Sequence, residues 1–481
     1  MSMSTVRLQN FRGFQDASID LKPLTVLFGP NSAGKSSFGH ALAAIAHAHR
    51  SFAGTPQATL TPRRDDAAAW PVDLGSTRDL RTQGAQGPVK IGLKSVEGWI
   101  ELGFGSDSIL ELLPTYIKHP KGFQDDATSG TIPSTSSKLT LLPGSVPLAE
   151  TGFGEEGRSE QNDQSHYYEL ERINERQWQQ GGKPVIVILD GLVLKAATHE
   201  SGTANLLSGK SQTDLRVFLE NLSYLRATRK RPSRIYEAGI GKPQPIGYAG
   251  EWTATLLNRR GADPVTYANL PAVPQTFEGA KQLLGVSVAE DKSTLVEAVR
   301  TWLRRLGLAR SLASERIKEN LDLLEIIAML DDQKAHNLAE IGFGVSQVLP
   351  ILTAGLLQPK DSLFIVDLPE AHLHPRPQSD LADFFCSLAL SDRNCLVETH
   401  SEMFFHRLRL RVAMQPELLD KIAVYFIDQP KDGLCCPPRK VGLAYSDEPT
   451  WPSGFFQEGW DTETQINFVR QARRGADTPN A

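Results

Sequence analysis

The sequence predicts an α/β fold with a mainly parallel central sheet. An apolar segment, Leu24–Phe28, precedes a glycine-rich loop, and residues 37–49 then show a helical pattern. Two further apolar segments, Leu363–Asp367 and Asn394–Ser401, have the length of buried strands and end in polar or charged residues. Continuous apolar strands that alternate with helices are typical of sheets covered on both faces.

Composition sets broad limits on the fold and its partners. The 481 residues are enough for about three average domains, or for one large α/β unit with insertions. The formal net charge is −5, so any contact with DNA must come from a local basic patch. Residues 1–14 lack a signal-peptide core and no segment approaches ~18 consecutive apolar residues, so we expect a cytoplasmic protein without a membrane partner. The cysteines lack CxxC spacing, which favours reduced thiols over a zinc site or disulfides.

The glycine-rich loop, Gly29–Ser36, fits the phosphate-binding pattern of Gly, four residues and then Gly-Lys-Ser. Its backbone amides and the positive end of the following helix favour an anion, and ATP with Mg²⁺ is the expected ligand. Lys35 is expected to reach the β and γ phosphates, and Ser36 to complete the Mg²⁺ coordination. The predicted nucleotide contacts in this region are Asn31, Gly34, Lys35, Ser36 and Ser37. A glycine-rich turn that binds nothing is the alternative.

The segment before this loop carries a resemblance to a known family. Leu8–Phe14, with the sequence L-Q-N-F-R-G-F, together with the phosphate loop resembles the ABC-type ATPase heads of the RecF, SMC and OLD (overcoming lysogenization defect) superfamily. The resemblance implies a P-loop NTPase fold of ABC-ATPase head type, with a mainly parallel core sheet, an antiparallel β lobe and a helical insertion. Val72–Leu80 resembles the segment that leads into the edge strands of these heads. Gln83 is the nearest candidate for their Mg²⁺-sensing glutamine.

The middle of the chain predicts insertions and one basic segment. Residues 121–166 have the composition of a flexible loop, Asp214–Leu225 has a helical pattern, and residues 292–308 predict an amphipathic helix. Residues 320–330 fit a strand or a helix. Five basic residues lie between Arg226 and Arg234, and this run could grip a nucleic-acid backbone. The alternatives are a solvated loop or ion pairs with a nearby acidic surface.

Asn337–Leu352 resembles the signature segment of the superfamily, in which a serine caps a helix that points at the nucleotide of a second subunit. The resemblance assigns this role to Ser346, and a shift of two residues would assign it to Gly344. Serine is a good N-cap, and the dipole of the helix favours an anion at that end.

The strand Leu363–Asp367 ends in the carboxylate that P-loop enzymes present to Mg²⁺, so Asp367 and Ser36 are the predicted metal residues. ABC heads place the catalytic glutamate next, but this chain has Leu368, which cannot accept a proton. Glu370 is the expected substitute, and turnover is expected to be slow. His400 falls where ABC heads place the histidine that contacts the γ phosphate. Glu370 and His400 are therefore the predicted catalytic residues.

Glu370–Pro375, with the sequence E-A-H-L-H-P, matches a segment of the OLD-like branch. A metal site at His372 and His374 is the less favoured interpretation of its two histidines. Segments at residues 443–445 and 451–456 resemble a C-terminal domain of unknown function found in some of these ATPases. No C-terminal acidic cluster resembles the Toprim nuclease of full OLD proteins.

The predicted division of the chain is an N-terminal ATPase lobe at 1–115, a flexible loop at 116–166, a strand and helix insertion or arm at 167–335, a C-terminal ATPase lobe at 336–430 and a cap and tail at 431–481. The resemblance implies a homodimer, or a higher homo-oligomer, with ATP sandwiched between heads. The favoured function is an ATPase that regulates a separate effector, a nuclease or toxin, in prokaryotic antiviral defence. The alternative is a DNA-repair ATPase of RecF or SMC type that binds DNA through Arg226–Arg234.

Overall fold

A computed structural model describes residues 3–51, 71, 80–85, 89–96, 98–105, 113–118, 171–174, 177–180, 183–190, 193–199, 210–238, 246–283, 286–318, 321–330 and 334–443. Most of the predicted loop at 116–166, most of the segment Val72–Leu80 and everything after residue 443 lie outside the described residues. Within the described part of the chain, no helix is both long enough and apolar enough to cross a membrane.

The described strands, in chain order, are β1 (Met3–Phe11), β2 (Phe14–Asp20), β3 (Leu24–Phe28), β4 (Val89–Ser95), β5 (Gly98–Gly105), β6 (Leu113–Lys118), β7 (Glu171–Asn174), β8 (Gln177–Gln180), β9 (Lys183–Asp190), β10 (Val193–His199), β11 (Ser223–Leu225), β12 (Tyr236–Glu237), β13 (Pro264–Asn269), β14 (Ala289–Thr294), β15 (Ser311–Arg316), β16 (Leu323–Met329), β17 (Ala335–Asn337), β18 (Leu363–Asp367), β19 (Asn394–Glu398), β20 (Ile422–Phe426) and β21 (Arg439–Val441). The described helices are α1 (Ser36–Ser51), α2 (Lys210–Asn221), α3 (Thr253–Arg260), α4 (Phe277–Leu283), α5 (Leu295–Arg305), α6 (Phe343–Leu357), α7 (Pro375–Leu390), α8 (Glu402–Met414) and α9 (Leu418–Lys421).

The central sheet has six strands in the order β11-β18-β19-β3-β20-β21. The first five are parallel to one another, and β21 is antiparallel to β20. Every residue of β3, β18, β19 and β20 is buried. Both faces of the sheet are therefore covered, which explains why these strands are apolar throughout rather than alternating.

Alternate residues of the central strands contribute to two different cores. Leu27 and Ile365 belong to a core shared with α1, α2 and the antiparallel sheet β2-β1-β4-β5-β6. Val26 and Val366 belong to a core shared with α5, α6, α7 and α8. The layers thus hold the carboxyl ends of the parallel strands at one edge, beside the start of α1. The fold class predicted from the sequence is confirmed.

The remaining described strands form smaller sheets. β12, β16 and β15 pair in that order with β17 beside β16, β13 and β14 form a hairpin, and β7 to β10 form an antiparallel sheet. The uncertain segment at 320–330 therefore contains a strand. The amphipathic helix predicted at 292–308 is confirmed as α5, and the hydroxyl of Thr294 accepts a hydrogen bond from the amide of Glu297 at its start.

The helix predicted at Asp214–Leu225 is displaced by four residues toward the C-terminus, since α2 begins at Lys210. α2 ends at Asn221, and Ser223–Leu225 instead pairs with β18 as the edge strand of the central sheet. The apolar residues of α2 and of Ser223–Leu225 follow the same helical spacing, so periodicity alone could not show where the helix ends. Pairing with β18, a tertiary contact, decided it.

Candidate nucleotide-binding site

The predicted phosphate loop connects β3 to α1 and depends on glycine at its first position. Gly29 has φ 148°, and a Cβ there would lie 2.2 Å from the carbonyl oxygen of Ile427. No larger residue fits without moving this backbone, which follows β20. Gly34 also has a positive φ, of 97°. The loop conformation is therefore set by its glycines.

The segment after β20 supports the loop from its outer side. The amide of Cys435 donates to the carbonyl of Gly13 at 3.0 Å. A Cβ on Gly34 would lie 2.9 Å from Cys435 Sγ and from the ring of Phe14. Gln83, the candidate for the Mg²⁺-sensing glutamine, is exposed and lies beside Gly433 of the same segment.

Lys35 is buried at the end of the loop, with 3% of its surface exposed. Its Nζ donates to the carbonyl of Pro30 at 2.6 Å and lies 3.9 Å from Oε1 of Glu398. Burial lowers the pKa of Lys35, and the charges of Glu398 and Glu370 partly offset this effect. The ammonium thus has a buried position that incoming phosphate oxygens would stabilise.

Asp367 ends β18 and is held by two side chains. The hydroxyl of Tyr224 donates to Oδ2 of Asp367 at 2.5 Å, and Nε2 of His40 lies 3.6 Å from the same oxygen. Arg12 Nη1 lies 2.9 Å from Nδ1 of His40. Because a guanidinium cannot accept, Nδ1 accepts from Arg12, and the proton of neutral His40 is on Nε2, facing Asp367. Burial, followed by the charge of Asp367, raises the pKa of Tyr224 well above its usual value.

A second carboxylate, Glu398, stands directly beside Asp367, since the two are register partners on β19 and β18. Burial and the charge of Asp367 raise the pKa of Glu398 to about 7, although a hydrogen bond with Ser36 and the charge of Lys35 act in the opposite direction. Its Oε2 is buried and has no hydrogen-bond partner. Glu398 is not among the site residues predicted from the sequence. Its signal was a carboxylate at the carboxyl end of a buried strand.

Glu370 and His400 are in contact, as expected for two residues of one site. Oε1 of Glu370 accepts the amide of His400 at 2.7 Å, and burial raises the pKa of Glu370. Burial and the charge of Lys35 lower the pKa of His400, and the backbone of Gly29 partly offsets this effect. His400 therefore lies beside the phosphate loop.

Leu368, the residue after Asp367 at the end of β18, has φ 44°. Its amide donates to the carbonyl of Glu398 at 2.8 Å. The guanidinium of Arg229 donates to the carbonyls of Asp367 and Leu368 at 2.8 and 2.9 Å. The backbone of the turn after β18 is thus held by Glu398 and by Arg229, although the side chain of Leu368 has no hydrogen-bond acceptor.

These contacts correct the interpretation of the basic run. Arg229 is buried and holds the turn after β18, so it is not available to DNA. Arg226 pairs with Glu251 at 3.5 Å, and Arg234 pairs with Glu340 at 2.7 Å. Internal ion pairs therefore account for part of the run, as one of the alternatives had it.

The expectation that Ser346 caps the signature helix is wrong. Gly342 is the N-cap of α6, and Ser346 lies inside the first turn, where its hydroxyl donates to the carbonyl of Phe343 at 2.8 Å. Ser346 is 5% exposed, whereas Gly342 and Phe343 are exposed. The surface at this helix end therefore consists of Gly342, Phe343 and Gly344.

A cavity of about 340 Å³ opens at the carboxyl edge of the sheet. It is lined by Ser36, His40, Pro71, Tyr224, Arg226, Ala227, Thr228, Asp367, Leu368 and Glu398. The structure thus brings Ser36 and Asp367 together as predicted and adds Glu398, Tyr224 and His40. His372 and His374 are exposed, and the described residues contain no His, Cys, Asp or Glu cluster suited to a metal.

Two protein-family models match the chain. One, described as AAA ATPase domain, matches residues 1–95, and the other, described as AAA domain, putative AbiEii toxin, Type IV TA system, matches residues 305–405. The first range contains the phosphate loop, and the second contains Ser346, Asp367 and His400. No curated protein matches the sequence.

Similar solved structures include an SMC head domain from Thermotoga maritima, with 9% identity and a TM-score of 0.35 over 92% of this chain and all of that one. Another is an SMC head domain with an extended coiled coil, bound to the C-terminal domain of ScpA and derived from Pyrococcus furiosus. It has 9% identity and a TM-score of 0.40, over 98% of this chain and 99% of that one. Residues 1–95 and 305–405 are thus similar to AAA ATPase domains, and the phosphate loop and the acidic strand β18 lie in these two segments.

Proposed function

We propose that the protein binds ATP with Mg²⁺ at this site, pairs head to head with a second copy and uses this cycle to control a separate effector, a nuclease or toxin. The observation that supports nucleotide binding most directly is the buried ammonium of Lys35. It ends a glycine-defined loop and lies 3.9 Å from the carboxylate of Glu398 at the end of β19. Such an ammonium lies where phosphate groups would bind.

The residues present fit MgATP. The amides of Asn31, Gly34 and Ser37 and the start of α1 suit the phosphate groups, and Lys35 exchanges the carbonyl of Pro30 for phosphate oxygens. Mg²⁺ would neutralise developing charge on the β and γ phosphates. Its protein contacts would be the hydroxyl of Ser36 and, through water, Asp367, whose Oδ2 is already held by Tyr224.

His400 would contact the γ phosphate, because it already lies beside Gly29 of the phosphate loop. Glu370 fixes the backbone of His400 and thereby connects the turn after β18 to the phosphate loop. The start of α6, including Ser346 in its first turn, would face the nucleotide of the second copy. ATP then holds the two heads together, and its hydrolysis lets the two copies separate.

The proposal of an effector in antiviral defence is supported by the second family model, whose description names a putative AbiEii toxin and a toxin–antitoxin system. Among the described residues, the side chains at this site suit a nucleotide and its metal ion. We therefore infer that the nuclease or toxin activity belongs to a separate protein that responds to head closure.

The test measures ATP binding by calorimetry and oligomeric state by light scattering, with and without MgATP. The natural protein is expected to bind and to double its mass on ATP, and Lys35→Ala is expected to lose both responses. Lys360→Ala, at an exposed lysine, is the matched control and should behave like the natural protein. Absence of any nucleotide affinity in the natural protein would refute the proposal.

A further inference from the structure

The turn after β18 lacks a proton acceptor at the place where hydrolysis needs one. Leu368 lines the cavity, but its side chain has no polar atom. We propose that Glu398, on the neighbouring strand β19, orients the attacking water in place of the missing glutamate. This inference rests on the ATPase function proposed above and assigns a catalytic residue within it.

Glu398 lies close to the residues that are expected to hold the nucleotide. Its Oε1 lies 3.9 Å from Nζ of Lys35, and Ser36 lines the same cavity as Glu398. These are the residues that would hold the γ phosphate and Mg²⁺. Glu398 lines the same cavity as Leu368, so its carboxylate reaches the space that the side chain of Leu368 borders.

The second carboxylate oxygen of Glu398 also favours a role in binding water. Glu398 is 8% exposed, and its Oε2 is buried without a hydrogen-bond partner. A buried carboxylate oxygen in this condition costs roughly 1–3 kcal/mol or more unless something donates to it. A rotation of the carboxylate about its last side-chain torsion, toward the cavity that Glu398 lines, would let a water donate to this oxygen. Oε2 of Glu398 therefore fits a water-binding position.

The two neighbouring carboxylates, those of Asp367 and Glu370, are placed differently from that of Glu398. Oδ2 of Asp367 accepts the hydroxyl of Tyr224, and the carboxylate is expected to face Mg²⁺. Oε1 of Glu370 accepts the amide of His400, its Oε2 is likewise buried without a hydrogen-bond partner, and Glu370 is not among the residues that line the cavity. Glu370 is therefore a positioning residue for His400. Among these three carboxylates, Glu398 alone combines a place on the cavity with an unpaired oxygen.

The proposed step is a hydrolysis. The oxygen of the water forms a bond with the γ phosphorus, and the bond from that phosphorus to the β–γ bridging oxygen breaks. The bridging oxygen keeps the electron pair and leaves as part of ADP. Oε2 of Glu398 accepts one proton from the water and later returns it to the phosphate product or to solvent.

The experiment compares the natural protein with Glu398→Gln, Glu370→Gln and the control Glu417→Gln, which changes an exposed glutamate. We expect Glu398→Gln to bind MgATP within about threefold of the natural affinity but to hydrolyse it at least ~100-fold more slowly in a single turnover. Because hydrolysis opens the dimer, Glu398→Gln should also remain dimeric with ATP long after the natural protein has become monomeric. The double variant with Leu368→Glu and Glu398→Gln should hydrolyse ATP at least about tenfold faster than Glu398→Gln alone.

The outcomes are distinguishable. Hydrolysis by Glu398→Gln within threefold of the natural rate overturns the assignment of Glu398, and so does a loss of MgATP binding with an unchanged melting temperature. If Glu370→Gln alone abolishes hydrolysis while Glu398→Gln does not, Glu370 is the catalytic carboxylate. If the natural protein binds no nucleotide, the proposed function itself fails, whatever the variants do.

Discussion

Replacing Tyr224 by phenylalanine tests whether Asp367 is the metal carboxylate. The hydroxyl of Tyr224 donates to Oδ2 of Asp367 at 2.5 Å, and both side chains are buried. Tyr224→Phe keeps the ring and removes only this donor. The remaining side chain near Oδ2, His40, has its Nε2 at 3.6 Å, which is too far for a strong hydrogen bond.

The expected magnitude follows from two independent estimates. A hydrogen bond to a buried carboxylate is worth roughly 1.5–3 kcal/mol. Loss of a partner that orients a metal ligand typically weakens metal affinity ~10–100-fold, and each factor of ten corresponds to about 1.4 kcal/mol. The two estimates agree. We therefore expect the Mg²⁺ concentration at half-maximal ATP binding to rise ~10–100-fold in Tyr224→Phe.

The assay follows binding of a fluorescent ATP analogue at a series of free Mg²⁺ concentrations and again in a chelator. Only the Mg²⁺-dependent part should change in Tyr224→Phe. Tyr236→Phe is the matched control, because its buried hydroxyl accepts from the amide of Ser233 instead. An Mg²⁺ midpoint within twofold of the natural value would refute the role given to Asp367.

Two further predictions concern stability. Burial, and then the charge of Arg50, lowers the pKa of His47 to about 4 from 6.5, so the unfolded chain binds a proton first as the pH falls from 6.5 to 4. Stability should fall by up to about 3 kcal/mol across this window, and His47→Gln should show a flatter dependence of melting temperature on pH. Arg229→Ala should lower the free energy of unfolding in urea by roughly 3 kcal/mol, since two carbonyls lose a charged donor, whereas exposed Arg231→Ala should change it by less than about 0.5 kcal/mol. A pH profile of His47→Gln that matches the natural one, or equal effects of the two arginine variants, would contradict the burial on which these predictions depend.

Local patterns were sufficient wherever neighbouring residues carry the information. The phosphate loop, the strand before it and the helix after it form one contiguous unit, and β18 and β19 are apolar runs that end in polar residues. Because parallel strands end at one edge, Lys35 and Asp367 could be placed together from the sequence. The α5 helix was equally evident, since its apolar residues lie on one face.

The partners of these residues were not predictable in the same way. Tyr224 lay in the predicted helix Asp214–Leu225 and Arg229 in the basic run, yet Tyr224 holds Asp367 and Arg229 holds the turn after it. Both contacts join residues about 140 positions apart in the chain. Ser346 was assigned a capping role because capping residues are recognised by type, but the backbone begins the helix three residues before it.

The sequence by itself determined that this chain forms a parallel α/β sheet with a phosphate loop, because both features depend on local hydrophobicity and on glycine. Tertiary structure alone decided which side chains complete the site. β11 reaches the sheet edge and brings Tyr224 to Asp367, while β19 places Glu398 beside Lys35 and Ser36. The physical reason is that burial, charge and hydrogen bonding at this edge arise from strands distant in sequence, and their positions are fixed only by how the layers pack.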